Sequence, residues 1–361
     1  MFGRSRWAPA VGAILVSLTL ASCASTGAET EQQKSSVQVP QYLKALPFSK
    51  RREAVESTRI DRKILPIAPC ALHKPKTASD ITGLPNQRIA PGGKINECTL
   101  RVWREMETFS RDWVFDITVG AKWAPKDRQE SKLVRTSDGR FYQQTMIVGE
   151  HKTRQCSYLL PITAHRAIEL DVNSSVYIVN EKREKEFKSH NCEFGKKYLK
   201  AVAPLFFDPP MRDEHPREPT LLLGTQSPCE AMSWAVNNLK PAITPVRATE
   251  MVRHDPADCT LEDSGEDFSR QKRAAVEFTV SSPPGETNPD EDYSSITFAG
   301  RPGFLHEDPR NGTCELSVPY LKQPHGIQGD LGPLTQNISV TTQSCDRSRE
   351  FAEIVLDRAA S

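Results

Sequence analysis

The 361-residue chain lacks the short motifs by which several enzyme classes are known. It has no Gly-x-Ser-x-Gly, which exposes the nucleophile of α/β-hydrolases, and no His-Glu-x-x-His, which binds zinc on one helix face. A glycine-rich phosphate loop is also missing. The sequence therefore predicts no cofactor and singles out no catalytic residue.

An excess of charge of either sign is also missing. Lysine and arginine total 47 against 46 aspartate and glutamate, which gives a formal net charge of +1. Nucleic-acid binding usually depends on a strong basic excess. We therefore expect no nucleic-acid partner.

No apolar run is long enough to span a membrane as a helix. The longest, residues 8–20, has 13 residues, whereas a bilayer core needs about 20. Arg4 and Arg6 precede this run and small residues follow it, which is the pattern of a secretion signal.

The run ends in Leu20-Ala21-Ser22-Cys23, which resembles the lipobox of bacterial lipoproteins. The resemblance implies a signal peptide over 1–22, cleavage before Cys23, and acylation of the Cys23 thiol with palmitate-type chains. Two or three such chains hold a protein at a membrane almost permanently. The chain is then anchored to membrane lipid on the extracytoplasmic face, with a flexible tether over 23–59. The alternative is an ordinary signal peptide that leaves Cys23 as a spare thiol.

An even number of cysteines follows Cys23, which in an exported chain indicates disulfides. The alternative is a metal site, but no Cys-x-x-Cys occurs and the histidines lack ligand spacing, so we expect no metal. The eight cysteines are Cys70, Cys98, Cys156, Cys192, Cys229, Cys259, Cys314 and Cys345.

The last four cysteines repeat the spacing of the first four, at offsets of 159, 161, 158 and 153 residues. Flanking residues match as well, since Glu97-Cys98-Thr99-Leu100 parallels Asp258-Cys259-Thr260-Leu261. This pattern predicts a tandem duplication, with one domain over 60–207 and a second over 220–361. The proline-rich segment 208–219 between them is typical of a semi-rigid linker.

Each half shows a short helix, several alternating strands and a terminal helix after its fourth cysteine. This order favours an α+β fold in which each tandem domain is a curved antiparallel sheet with an N-terminal and a C-terminal helix. In the first half we expect Pro204 to end the terminal helix. Four cysteines allow three pairings per half; pairing first with second and third with fourth is favoured, as Cys70–Cys98, Cys156–Cys192, Cys229–Cys259 and Cys314–Cys345.

Two histidine-acid groups and one acidic run are the remaining candidates for chemistry. His306-Glu307-Asp308 and His254-Asp255 place a base beside a carboxylate, but each lies near a proline in a stretch leading to a cysteine. The run Asp290-Glu291-Asp292 lacks the spaced ligands and glycine of a calcium loop. We interpret all three as surface segments.

The Pro-Cys-Ala-Leu start at Pro69, the second cysteine about 30 residues later and the cysteine that opens a terminal amphipathic helix resemble a family of actinobacterial cell-surface lipoproteins of unknown function. They are similar, more remotely, to the extracellular sensor domain of mycobacterial receptor kinases. Leu100 and Leu261 stand where that family often carries an aromatic residue, and this chain has two copies. The resemblance implies an exported, anchored, disulfide-bonded protein and supplies no catalytic residues.

Three functions are compatible with these features. The first is a non-catalytic ligand-binding or sensing module of the cell envelope, which takes a small apolar molecule, a lipid or a glycan between helix and sheet. The second is a protein-interaction or accessory component of an envelope assembly. The third is an exported enzyme, which requires a cleft with convergent ionisable groups.

We expect Cys23→Ala to remove the anchor, because no other residue offers a thiol at the predicted cleavage site. The variant should be shed or mislocalised, while Thr26→Ala should remain membrane-bound. Fractionation followed by immunoblotting measures both. A Cys23→Ala protein that is processed and membrane-bound like the wild type contradicts the assignment.

Overall fold

A computed structural model describes the chain over 48–105, 110–148, 153–176, 191–215, 221–232, 250–252, 256–262, 273–282, 293–321, 327–329 and 332–360. These residues belong to one compact unit that starts at Val39. They form a mixed α+β structure with two antiparallel sheets, which confirms the expected fold class at that level. Cys23 lies outside the described residues.

The first sheet has seven strands in the order β1-β2-β3-β7-β6-β5-β4. Apolar residues two apart in these strands point to one face, so that residues such as Phe115 and Ile117 are buried and their neighbours are half-buried. The strands are β1 (Asn86–Pro91), β2 (Glu97–Glu105), β3 (Ser110–Lys122), β4 (Lys132–Arg135), β5 (Arg140–Val148), β6 (Thr153–Pro161) and β7 (Arg166–Val176).

The second sheet runs β11-β12-β13-β15-β10-β9-β8, and β14 pairs with β15 beside this path. Its order matches that of the first sheet when β8, β9 and β10 are set against β1, β2 and β3. The strands are β8 (Glu250–Val252), β9 (Asp258–Glu262), β10 (Arg273–Ser281), β11 (Tyr293–Phe298), β12 (Arg301–Asp308), β13 (Thr313–Leu321), β14 (Ile327–Gly329) and β15 (Gly332–Thr342).

Helices precede, interrupt and follow the strands. They are α1 (Phe48–Ile64), α2 (Pro75–Thr82), α3 (Pro125–Glu130), α4 (Asn191–Phe207) and α5 (Cys345–Ala360), with 3₁₀ turns at Cys70–Leu72 and Leu222–Thr225. Residues 228–232 are also helical. The sequence assigned residues 48–59 to the tether, whereas α1 places them in a helix whose later residues Thr58 and Asp61 are buried.

Four disulfides join the strands to the helical segments. Their Cα atoms are 5.0–5.3 Å apart, which is usual for a disulfide. The pairs are those that the spacing favoured: Cys70–Cys98, Cys156–Cys192, Cys229–Cys259 and Cys314–Cys345.

The two sheets share the same hydrogen-bond register as well as the same order. In each sheet, residues that stand directly opposite one another across four neighbouring strands form a series. The series begins at the cysteine of β2 or β9 and ends two residues after the cysteine of β6 or β13. The two series are Cys98, Ile117, Leu170 and Tyr158, and Cys259, Val276, Val340 and Leu316.

The helix α4 continues through Pro204, where the sequence predicted its end. A proline inside a helix removes one backbone hydrogen bond. The helix persists because Phe206, one turn from Val202 on the same face, is buried in the first core at 3 % exposure.

A segment between β1 and β2 belongs to both halves. The Val280 N–H donates to Gly93 O at 3.0 Å, and Lys94 stands opposite Thr279, so this segment continues the second sheet beside β10. The side chain of Ile95 is completely buried in the second core. The first half therefore supplies part of the second sheet and of its core.

Arg212 holds this joint from the predicted linker. Its backbone N–H donates to Pro66 O at 2.8 Å, and its guanidinium donates to Leu65 O at 3.0 Å and to Ile95 O. A Cβ at Gly224 would lie 3.0 Å from the guanidinium carbon, so glycine leaves room for it. Residues 210–212 of the predicted linker are therefore hydrogen-bonded to the first half.

We expect Arg212→Ala to lower the free energy of unfolding by about 3 kcal/mol, because hydrogen bonds to a charged donor contribute about 1.5–3 kcal/mol each. Urea unfolding followed by circular dichroism measures the change. The exposed Arg59→Ala is the control and should shift stability by less than about 0.5 kcal/mol. Equal midpoints for Arg212→Ala and the wild type would mean that these bonds contribute nothing.

Candidate functional site

The layer between helices and first sheet is filled by the protein's own side chains. Large aromatic residues of the sheet and of α4 meet there at less than 2 % exposure, and Phe115 lies 4.5 Å from Tyr198 between ring centroids. A ligand held between helix and sheet would have to displace them. The opposite face of this sheet, which we call the outer face, carries polar and charged side chains.

One row of polar residues crosses the outer face from β2 to β6. Asp116 of β3 stands directly opposite Asp171 of β7, with Thr99 and Ser157 as the next residues on either side. Side chains directly opposite in antiparallel strands have Cβ atoms about 5 Å apart. The register therefore brings two carboxyl groups side by side between two hydroxyl groups.

A second row lies beside the first and carries Glu169 between Thr118 of β3 and Leu159 of β6. Leu159 packs with Trp123 and the half-buried Tyr142 in a small apolar cluster on this face. The ring centroids of Trp123 and Tyr142 are 5.1 Å apart. The outer face thus joins three carboxyl groups to an aromatic cluster.

Burial changes the protonation of these carboxyl groups. Loss of solvent raises the pKa of Asp116 to about 6, although a hydrogen bond from the Thr99 hydroxyl at 2.6 Å opposes the shift. Burial also raises the pKa of Asp171, against hydrogen bonds from Ser157 and Gln155. Each carboxyl group has a hydroxyl donor that favours its ionised form.

The pKa of Glu169 lies further above its usual value than that of Asp116. Burial first, and then the charge of Asp171, raise its pKa to about 8. The weaker charges of Glu97 and Asp127 act in the same direction. The outer face therefore holds protons at pH values where isolated carboxyl groups have lost them.

The equivalent positions of the second sheet carry no carboxyl group. By the shared register, Asp116, Asp171 and Glu169 correspond to Ala275, Thr341 and Ser339, respectively. The acids of the same two rows in the second sheet are Glu277 and Glu315, which take the places of Thr118 and Ser157. Like charges directly opposite in a sheet are destabilising. Since the second sheet forms without these acids, the fold does not require them.

The structure describes one of the two histidine-acid candidates, and it gives His306 and Asp308 separate contacts. His306 lies in β12 with its ring 4.9 Å from that of Tyr293. Asp308 accepts hydrogen bonds from Arg310 N and from both nitrogens of Asn311, which closes the β12–β13 turn. These bonds, led by the side chain of Asn311, lower the pKa of Asp308. His254-Asp255 and Asp290-Glu291-Asp292 lie outside the described residues.

A buried histidine in the first half is structural. His73 lies 3.1 Å from Tyr198 Oη through Nδ1 and 3.0 Å from Cys98 O through Nε2. Burial lowers its pKa to about 4, so the ring is neutral at physiological pH. In the second half, Met232 takes the place of His73, three residues after Cys229, and Phe351 takes the place of Tyr198, six residues after Cys345.

The part of the chain that the structure describes contains no group of three or more histidine, cysteine or acidic residues arranged to hold a metal ion. In that same part, no helix is both long and apolar enough to cross a membrane. The three carboxyl groups are spread over two neighbouring strands and do not converge on one point.

Comparison of the chain with protein-family models, with curated proteins and with solved structures found no match.

The acids of the outer face were not predicted from the sequence. In Phe115-Asp116-Ile117 and Glu169-Leu170-Asp171 they alternate with apolar residues, which is the pattern of any sheet with one solvated face. The available signal was the difference between the halves, since aligning their strands sets acids against alanine, serine and threonine.

We expect the three carboxyl groups to make the folded protein less stable as pH rises. Unfolded carboxyl groups titrate near pH 4, so between about pH 4 and 8 the folded state holds more protons and loses stability with increasing pH. Replacing Asp116, Glu169 and Asp171 by their amides should remove this loss. Thermal unfolding from pH 5 to 8.5 compares the two proteins.

The buried, neutral His73 makes stability rise with pH, because the unfolded state binds a proton on this residue below about pH 6.5. His73 is present in both the wild type and the triple variant, so its effect cancels in the difference between their melting temperatures. Glu130→Gln, which removes one exposed carboxyl group by the same change from acid to amide, is the control. A constant difference in melting temperature across the range would contradict the assignment of raised pKa values.

Proposed function

We propose that the protein is a membrane-anchored extracytoplasmic lipoprotein that acts as a non-catalytic binding or sensing module of the cell envelope. Its binding surface is the outer face of the first sheet, and its ligand is a hydroxyl-rich envelope glycan. The observation that carries the proposal is the directly facing pair Asp116 and Asp171 with Glu169 beside it, at positions where the second sheet has no carboxyl group.

Export is supported by the four disulfides, because such bonds persist in oxidising compartments. Anchoring rests on the lipobox-like segment that ends at Cys23. A permanent lipid anchor keeps the folded body among the glycans and proteins of the envelope, where a ligand need not be captured from dilute solution.

A tandem duplication is supported by the shared register of the two sheets. Unrelated sheets have no reason to place both strand cysteines at the same positions of a four-strand series. In this proposal the second copy serves the scaffold, with its acids Glu277 and Glu315 set opposite Ser339 and Thr341, while the first copy has acquired two carboxyl groups that face each other. Divergence of one copy relieves the requirement that every residue serve stability.

A glycan suits the outer face because its hydroxyl groups donate hydrogen bonds to carboxyl oxygens and its apolar ring faces pack on aromatic side chains. Asp116 and Asp171 supply acceptors, and on the same surface Leu159 stands between the half-buried Tyr142 and Glu169. Protonated carboxyl groups can also donate, so recognition should depend on pH.

Glycan hydrolysis is a second candidate, favoured by one observation. Two carboxyl groups on facing strands with unequal surroundings can divide the roles of acid and base. Recovering the oligosaccharide intact after incubation favours binding, and shortened products with a dependence on Asp116 and Asp171 favour catalysis.

Isothermal titration with defined oligosaccharides tests the proposal. The probes are β-1,4-linked N-acetylglucosamine–N-acetylmuramic acid oligomers and oligomers of mannose and of arabinose. We expect one probe class to bind and Asp116→Asn with Asp171→Asn to weaken it at least tenfold. Glu315→Gln, which changes an outer-face acid of the second sheet, should bind like the wild type.

If the protein with Asp116→Asn and Asp171→Asn binds as tightly as the wild type and the Glu315→Gln variant, the binding site is not on the outer face of the first sheet. Absence of binding for all probes between pH 5 and 8 would remove the glycan assignment.

A further inference from the structure

Three of the four edge strands carry features that discourage pairing with another chain. β1 contains Pro91 and lies against β14, and β4 begins and ends with Lys132 and Arg135. β8 has only three residues, starts with Glu250 and lies against α1. Charges, prolines, short length and covering elements are the usual protections of sheet edges.

β11 is the edge strand of the described sheets that lacks these protections. Its six residues, Tyr-Ser-Ser-Ile-Thr-Phe, include no charged residue and no proline. Ser294, Ser295 and Thr297 are exposed. The strand is therefore accessible and has no built-in repulsion.

The hairpin geometry fixes which backbone groups point away from the sheet. Ala299 and Gly300 form a two-residue turn with φ values of 48° and 72°, so Phe298 and Arg301 flank it as a hydrogen-bonded pair. Hydrogen bonding alternates along antiparallel strands. The N–H and C=O groups of Ser295 and Thr297 consequently face outward.

We propose that β11 pairs antiparallel with β11 of a second copy of this chain, about a twofold axis at Ser295. In this register Ser295 stands opposite its own copy and Ser294 opposite Ile296, so no like charges meet. The second sheets of the two copies join into one continuous sheet. An isologous contact of this kind closes after two copies and does not form fibres.

A second copy fits this edge because β11 is self-complementary, whereas β4 at the same place in the first sheet is not. Pairing β4 with its copy about the strand centre sets Lys132 opposite Arg135, which is repulsive. The contact is short, and the proposed lipid anchor would raise the effective concentration of the copies in one membrane. The dimer does not depend on the proposed glycan.

Single cysteine variants of the full chain test the register in intact cells. Facing residues of a hydrogen-bonded pair have Cα atoms about 5.5 Å apart, so Ser295→Cys should form a disulfide-linked dimer on mild oxidation. Thr297→Cys is the matched control, because its two copies would lie about 13 Å apart along the strands. Non-reducing electrophoresis and peptide mass spectrometry identify the bridge.

Sedimentation of the detergent-solubilised protein gives an independent readout. The wild type should be dimeric, and Ser295→Pro should be monomeric with an unchanged circular dichroism spectrum, because the lost N–H is not used within the sheet. Ser295→Lys, which sets two charges on the axis, replaces it if the proline variant is misfolded. A monomeric wild type, or equal crosslinking of the two cysteine variants, overturns the proposal.

Discussion

The disulfides decide which face of each sheet is buried, and the other features depend on that choice. Cys98 and Cys156 lie on inner strands and are bonded to helical segments, so their side chains must point towards the helices. Because side chains alternate along a strand, a slip of one residue would turn these cysteines away from their partners. The same constraint places Asp116 and Asp171, which have the opposite parity, on the outer face. Each such bond closes a loop of about 30 residues, which contributes about 3–4 kcal/mol on the chain-entropy model.

The acids of the outer face lower the stability of the folded protein, and they give this surface carboxyl groups with raised pKa values. Carboxyl groups set opposite one another and shielded from solvent disfavour ionisation, and the raised pKa of Asp116 and of Glu169 expresses that cost. A ligand that donates hydrogen bonds relieves it and so gains differential binding energy. The second sheet, with Ala275, Ser339 and Thr341 at these positions, keeps the same register without the facing pair of carboxyl groups.

The sequence predicted what local patterns and cysteine spacing determine, namely the mixed α+β class, the alternating strands and the favoured cysteine pairs. It missed features that depend on residues far apart in the chain. Arg212 contacts Leu65 and Ile95, and nothing near any of the three marks the joint. The sequence predicted a helix end at Pro204 because the low helix propensity of proline is a local property. The helix continues because Phe206 is buried in the core, and this tertiary contact outweighs the local preference.

The joint between the halves restricts the conformational changes that ligand binding could cause. Segment 93–95 extends the second sheet, Ile95 fills its core, and Arg212 ties both to the chain that connects the halves. Opening the halves as a hinge would expose Ile95 and break these bonds, so domain closure around a ligand is unfavourable. In the proposed function, binding at the outer face is therefore recognised by another molecule that contacts the occupied surface. A rigid body that joins a copy of itself through β11 presents two such surfaces in a fixed arrangement, and two weak contacts then act as one strong contact.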